Sequence, residues 1–368
     1  MPWRRHRRPL AGRVALCATA AACGLLGVGA APAPPAAAPA TPTLAQLVGQ
    51  RLVVAITGTR ANPQILARIR AGQVGGVILF GGNIASQAQV KALTASLRAA
   101  AQAGGRPRLI IATDQEGGEV KRLPWAPPNV SAQTLGTLGP GRSAKSGKVT
   151  GAALAADGVN VDLAPVADVP VGPADFIAQQ HRAFSTDRFA VASDAAAFAG
   201  GLEQGGAWPT LKHFPGLGRA RVSTDDALVR ITASSATLTK GLLPYRVAFR
   251  RSLDPVVMLS TAVYPALDWR AAAWSPPIIH TILRGRLGFA GVTITDALDS
   301  AAAVRHTTDP PLALRSAQAG ADLLLITGSQ ATSRGVYTHL LAAATSGALP
   351  MANLTASYNR ILALKTHL

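Results

Sequence analysis

Eight short apolar runs of β character punctuate the chain, at residues 52–56, 76–80, 109–113, 161–165, 209–213, 256–260, 292–296 and 322–326. Between them lie segments of helical period. Val90, Leu93 and Leu97 fall on one face of one such segment; Leu242, Tyr245, Val247 and Phe249 do so less cleanly in another. Strands that alternate with helices of this length imply a parallel sheet. Eight such units predict closure, so the expected fold is α/β, a (β/α)8 TIM barrel, as a single domain over residues 41–368. Two further helical segments, about 330–344 and 354–365, follow the eighth run.

Residues 1–40 break this pattern. Arg4, Arg5, Arg7, Arg8 and Arg13 form a positive region, an Ala-, Gly- and Leu-rich stretch follows from Val14 to Ala31, and Ala/Pro repeats continue to Ala40. The segment reads as an export signal followed by a low-complexity tether. The apolar stretch is short and weakly hydrophobic for a spanning anchor. Both cysteines, Cys17 and Cys23, lie inside it, so disulfides have no part in the domain that follows. Two processing readings fit. Ala20-Ala21-Ala22-Cys23-Gly24 resembles a lipoprotein site, with Cys23 lipidated and the protein anchored to a membrane by lipid. An ordinary signal peptide cut between Ala30 and Ala40 fits equally. Either way the expected location is outside the cytoplasm, secreted or at the cell envelope.

Charge adds a partner class. The formal net charge is +18; removing the five arginines before residue 41, where no acid occurs, leaves +13. Such a surface attracts polyanions. Nucleic acid is not expected, because aromatics make up only 5% of the chain and no basic run is interleaved with them. For an exported protein the anionic cell wall is the expected counterpart, although Arg-rich coding bias alone accounts for the composition. The chain is expected to act as a monomer.

Candidate chemistry gathers at the C-terminal ends of the apolar runs, where a (β/α)8 barrel keeps its reactive groups. The third run ends in Thr113-Asp114-Gln115-Glu116-Gly117-Gly118, followed by Arg122. The fourth leads into Asp168, the fifth ends in Lys212-His213, and the seventh ends in Thr295-Asp296. A lone carboxylate after a strand is often a helix N-cap. Four polar clusters on one barrel face are harder to explain by stability, since a desolvated charge is costly unless paired.

These segments, in order, resemble glycoside hydrolase family 3. The resemblance rests on Gly75-Gly76-Val77-Ile78-Leu79-Phe80-Gly81, Asp114-Gln115-Glu116-Gly117-Gly118, Asp162-Leu163-Ala164-Pro165-Val166-Ala167-Asp168, Arg182-Ala183-Phe184-Ser185 and Lys212-His213-Phe214-Pro215-Gly216. Val257-Met258-Leu259-Ser260 and Gly291-Val292-Thr293-Ile294-Thr295-Asp296 continue it. It covers about residues 43–366 and is strongest to the single-domain β-N-acetylhexosaminidase branch. The resemblance implies a carbohydrate substrate and a nucleophile at Asp296. It also implies that Asp114, Arg122, Arg182, Lys212, His213 and Met258 contact the sugar. A double displacement by two carboxyl groups needs no metal and no organic cofactor. His181, beside Arg182, either enters the site or sits in an exposed loop.

One loop departs from the family. The hexosaminidase branch resembles Lys-His-Phe-Pro-Gly-His-Gly-Asp-Thr-x-x-Asp-Ser-His, whose last Asp and His form an acid/base dyad. Here Ser223 stands at the dyad Asp and Asp225 at the dyad His, and no histidine lies between His213 and His280. Three readings follow. Asp225, or its neighbour Asp226, is a carboxylic general acid with a raised pKa; or the acid is absent and the enzyme is slow; or the protein only binds sugar, as a catalytically impaired muropeptide-binding protein. The leading expectation is an exported retaining glycosidase for terminal β-linked sugars, namely β-N-acetylglucosaminides of cell-wall fragments, with Asp225 as acid/base; a β-glycosidase of other sugar specificity is a further alternative.

Overall fold

Each of the eight apolar runs becomes a strand: β1 (Leu52–Ala55), β2 (Gly76–Leu79), β3 (Ile110–Thr113), β4 (Val161–Asp162), β5 (Trp208–Phe214), β6 (Val256–Leu259), β7 (Thr293–Thr295) and β8 (Leu324–Ile326). The computed structural model describes residues 41–251, 253–300 and 308–368. The N-terminal arginines, the apolar stretch, Cys17 and Cys23 lie outside the described residues. Among the described residues no helix is long and apolar enough to cross a membrane.

All neighbouring strand pairs are parallel, in the order β7-β6-β5-β4-β3-β2-β1-β8. A parallel bridge between Ile294 and Leu323 joins the two ends. There the Thr295 N–H donates to the Leu323 carbonyl and the Leu323 N–H to the Thr293 carbonyl. The sheet is thus a closed barrel, as the alternation of runs and helices predicts.

Strand residues divide by parity, as side chains on a pleat must. Leu52, Val54, Val77, Leu79, Ile111, Val257, Leu259, Leu324 and Ile326 pack outward against the helices. Val53, Ala55, Ile78, Ile110, Ala112, Val161, Val256, Met258, Ile294, Leu323 and Leu325 fill the barrel interior. Both faces are buried, which is why the runs read as continuously apolar. The helices open on side-chain caps that satisfy their first N–H groups. Asn62 accepts from the Ile65 N–H, Ser86 from Gln89, and Ser329 from Thr332. The helix Gln87–Ala103 buries Val90, Leu93 and Leu97 on one face, as the periodicity predicts. The less regular segment is two helices, Ser235–Gly241 and Leu243–Arg250, with Pro244 at the start of the second.

β4 is shorter than its apolar run. Regular pairing stops at Asp162, because Pro165 has no N–H to give to a ladder. The chain still follows β5, through a bridge from Val166 to Lys212 and a bond from the Thr210 N–H to the Ala164 carbonyl.

The N-terminal end of the barrel closes around one buried carboxylate. Asp322, just before β8, is fully buried and accepts six hydrogen bonds. Its donors are Arg284 Nη2 at 2.8 Å, Arg360 Nη2 and Nε at 2.7 and 2.9 Å, Ser357 Oγ at 2.9 Å, and the N–H and hydroxyl of Thr293 at 2.9 and 3.0 Å. β7, β8 and two helices are held together at this point. Replacing Asp322 with Ala leaves two guanidinium groups without their counter-charge. The expected cost is about 3–5 kcal/mol of stability, measured by denaturant unfolding. A loss under about 1 kcal/mol, the usual worth of an exposed pair, would show that the cluster does not hold the barrel shut.

Candidate active site

The opposite, C-terminal end of the barrel is open. A cavity of about 460 Å³ sits in its mouth. Interior apolar residues from four strands or their ends, Ile78, Leu163, Met258 and Leu325, form its floor. Its wall is polar: Asp114, Glu116, Arg122, Arg182, Lys212, His213, Asp225, Asp226 and Asp296.

Four of these form an alternating ionic lattice. Lys212 Nζ lies 2.8 Å from Asp114 Oδ1 and 2.7 Å from Glu116 Oε1. Arg182 grips Glu116 with two parallel bonds, Nε to Oε2 at 2.7 Å and Nη2 to Oε1 at 2.8 Å. The Glu116 side chain is only 3% exposed. Burial alone would raise its pKa, but the charges and hydrogen bonds of Arg182 and Lys212 outweigh that and bring it down to about 2. Burial would likewise discharge Lys212, yet Asp114 and Glu116 hold its pKa above the ordinary value. Both cations therefore stay charged and paired, and Asp114 keeps carboxylate lone pairs that can accept from hydroxyl groups.

Below the lattice, Asp162 is fully buried. Its Oδ1 accepts the Gln115 N–H at 2.9 Å, and its Oδ2 has no partner. Burial pushes its pKa up to about 8, against the Gln115 hydrogen bond and the Lys212 charge. Asp162 is thus mostly neutral at pH 7, which leaves the two cations to Asp114 and Glu116. Gln115 is buried as well. Its Oε1 accepts from the Arg122 and Leu123 N–H groups at 3.0 and 2.9 Å, and its Nε2 donates to the Leu123, Ala126 and Pro127 carbonyls. The turn that carries Arg122 is fixed by this one amide. The Arg122 guanidinium lies 5.9 Å from the Phe80 ring centroid.

His213 is oriented from behind. Its Nδ1 meets Asp168 Oδ2 at 2.8 Å, while Asp168 Oδ1 accepts the Leu217 N–H and, at 3.2 Å, the His213 N–H. The imidazole edge bearing Nε2 is left for the cavity. Asp296 follows β7, and its N–H donates to the Leu259 carbonyl at 2.9 Å. Its Oδ1 accepts from the Ala297 N–H, the next residue. An N-cap takes the N–H two or three residues on, so Asp296 does not bond as a cap.

The divergent loop enters the cavity. It is docked against the segment after β4. The Phe176 N–H donates to the Ala220 carbonyl at 2.8 Å, and Arg221 Nε lies 3.4 Å from the buried carboxylate of Asp175. Gly218 is required there: a Cβ would stand 2.3 Å from the Val169 carbonyl carbon. Ser223 is buried and its Oγ accepts the Asp225 N–H at 3.0 Å, a local turn that presents Asp225 to the cavity. Desolvation raises the Asp225 pKa, and the negative charge of Asp296 adds to it, against His213 and the Ser223 hydroxyl.

Asp114, Arg122, Arg182, Lys212, His213, Met258, Asp225 and Asp296 all line this one cavity. His181 does not. It has a left-handed backbone (φ +54°) and pairs with Glu119 at 3.5 Å, with both side chains more than half exposed. Glu116, Asp168 and Asp162 were legible only as parts of motifs. Glu116 stands two residues after Asp114, and an extended chain places such residues on one side; that spacing was the available signal. Cys23 lies outside the described residues.

Residues 43–364 match the profile of the glycosyl hydrolase family 3 N terminal domain. A protein from Arthroderma benhamiae, named an uncharacterized secreted glycosyl hydrolase, is 35% identical over 88% of this chain and 94% of its own length. The crystal structure of a β-N-acetylhexosaminidase from Beutenbergia cavernae is similar at 34% identity and a TM-score of 0.83, covering 89% of this chain and 100% of that one. A family 3 β-N-acetylglucosaminidase from Paenibacillus is similar at 31% identity and a TM-score of 0.85; this chain, covered to 89%, spans only 63% of it. With the barrel, the strand-end constellation and this profile in agreement, the chain belongs to glycoside hydrolase family 3.

Proposed function

We propose that this chain is an exported β-N-acetylhexosaminidase that removes terminal β-linked N-acetylglucosamine from cell-wall fragments with retention of configuration. Asp296 is the nucleophile and Asp225 the acid/base. The observation that carries this reading is the sharing of one cavity by Asp225, its pKa raised in part by Asp296, and Asp296 itself. A retaining glycosidase needs two such carboxyl groups, one ionised and one protonated. The names of the similar proteins from Beutenbergia cavernae and Paenibacillus favour an N-acetylated amino sugar. The name of the Arthroderma benhamiae protein favours secretion.

The chemistry follows from the side chains. A terminal sugar ring rests on the apolar floor around Met258 and Leu325. Asp114, Lys212 and His213 take its hydroxyls, and Arg122 and Arg182 hold donors toward the ring and its substituents. Asp296 attacks the anomeric carbon as the aglycone oxygen leaves with the Asp225 proton. Asp225, now ionised, then removes a proton from water, which attacks the glycosyl-enzyme and frees Asp296. Ser223 does not supply the charge that a dyad aspartate would; it fixes the backbone of a carboxylic acid that acts by itself.

Asp296→Ala should abolish turnover of an aryl β-N-acetylglucosaminide and leave the unfolding midpoint near wild type. Full activity in this variant would remove Asp296 from the mechanism.

Asp225→Ala should slow hydrolysis of natural glycosides by ~10²–10⁴-fold. Activated aryl substrates need little protonation, so their first step should be spared and added azide should restore turnover. The acid form acts first, so wild-type kcat/KM on natural glycosides should fall as pH rises through the raised Asp225 pKa, and the variant should lack that limb. Asp226→Ala is the paired control. If only Asp226→Ala shows these effects, the roles are exchanged; if neither does, no loop carboxylate is the acid. A wild-type protein that binds amino sugars without turning over any substrate would leave a binding function instead.

Residues 1–40 direct export in this proposal. Mass spectrometry of the native protein should find an N-terminus at a lipidated Cys23 or between about Ala30 and Thr41. An intact Met1 on cytosolic protein would refute both.

A further inference from the structure

One buried acid, Asp175, joins the segment after β4 to the divergent loop after β5. Asp175 is 1% exposed. Its Oδ2 accepts the Val171 and Gly172 N–H groups at 2.8 and 3.0 Å, which closes a tight turn within its own segment. Its Oδ1 is buried and, among the described residues, takes no hydrogen bond. The cation that faces this oxygen is Arg221, whose Nε stands 3.4 Å away. Arg221 belongs to the loop, four residues before Asp225. The two segments meet twice more around this pair. The Phe176 N–H donates to the Ala220 carbonyl at 2.8 Å, and Gly218 lies against the Val169 carbonyl too closely for any side chain.

A carboxylate taken out of water is costly unless a cation faces it. Lifting the loop would strip Asp175 of that cation, so the pair favours the docked loop more than two exposed charges would. Docking matters because of what the loop carries. Beyond Arg221 the chain passes through exposed Val222 to buried Ser223 and Thr224, and Asp225 comes out at the cavity. The same contact steadies the facing wall. Phe176, next to Asp175, lines the cavity, and the Arg182 guanidinium lies 5.9 Å from its ring centroid. A general acid works only within hydrogen-bond reach of the oxygen it protonates. A displacement of about 1 Å costs on the order of 10²-fold in rate.

We infer that Asp175 and Arg221 are positioning residues, whose pairing holds the Asp225 carboxyl at the leaving-group oxygen. The inference rests on the assignment of Asp225 as acid/base. The test is kcat/KM for a series of aryl β-N-acetylglucosaminides of graded leaving-group acidity. Arg221→Gln should lower it about tenfold for the poorest leaving group and leave the best within about twofold of wild type. A general loosening of the fold would lower all members of the series alike. Asp175→Asn keeps an acceptor for Val171 and Gly172 but not the charge, and should show the same steepened dependence. The double variant should lose no more than Asp175→Asn alone, since the two residues act through one contact. Hydrogen exchange gives a second readout: residues 217–226 should exchange faster in Arg221→Gln, with the barrel strands unchanged. Arg221 is exposed, so this variant keeps the test valid if Asp175→Asn misfolds. Wild-type leaving-group dependence and loop exchange in Arg221→Gln, or an equal loss across the series, would overturn the inference. Asp225→Ala, run beside it, separates two failures. A steep dependence there with an unchanged Arg221→Gln removes the pair alone. No steepening in Asp225→Ala removes the acid/base assignment, and the role of the pair with it.

Discussion

Glu116 sits in the barrel mouth with Lys212 on one carboxylate oxygen and the fork of Arg182 across both. Asp114 joins this buried trio through Lys212, so one wall of the cavity is built on it. The Lys212 ammonium would not stay charged in that environment without its acids, and through it Asp114 is held toward the cavity. Removing one member of such a set leaves the others desolvated and uncompensated, which costs far more than an exposed pair is worth. The contribution of Glu116 is robust to acid. Its folded pKa is depressed from an ordinary 4.5 to about 2, so its stabilisation is complete above the ordinary value and is lost progressively as pH falls from there through about 2. Asp162 completes the balance by staying largely protonated near neutrality, with its pKa pushed up to about 8.

The two ends of the barrel do different work with similar chemistry. At the N-terminal end Arg284, Arg360, Ser357 and Thr293 close around the Asp322 carboxylate and pin strands and helices together. At the C-terminal end the charges hold one another in place and still present free lone pairs and donors to a cavity. This division is what a (β/α)8 barrel allows, with stability at the bottom and chemistry on the loops at the top. The same physics explains the divergent loop. Docking of residues 217–225 on the segment after β4 buries Ser223 and Thr224 and leaves Asp225 at the cavity. Partial desolvation and a like charge at Asp296 then raise the Asp225 pKa, the direction the proposed general-acid role calls for.

Much of this was legible in the sequence. All eight apolar runs became strands, because a strand buried on both faces announces itself as an uninterrupted apolar run. Asp114, Lys212, His213 and Asp296 were legible because each ends such a run. β4 was misjudged at its C-terminal end, since apolar character says nothing about whether an N–H is available at Pro165. Glu116, Asp168 and Asp162 were harder to read. Their roles depend on what faces them across the barrel, Arg182, His213 and the Gln115 backbone, and no local pattern encodes a partner 45 to 66 residues away. His181 showed the converse: its closeness to Arg182 in sequence does not bring it into the cavity.

The central claim is that this cavity performs a double displacement at Asp296. A slow fluorinated N-acetylglucosaminyl donor, followed by peptide mass mapping, tests it most directly. The account predicts one stoichiometric glycosyl adduct, on Asp296, that is released when an acceptor is added. An adduct on another residue, or turnover of the parent glycoside with inversion and no adduct, would contradict it.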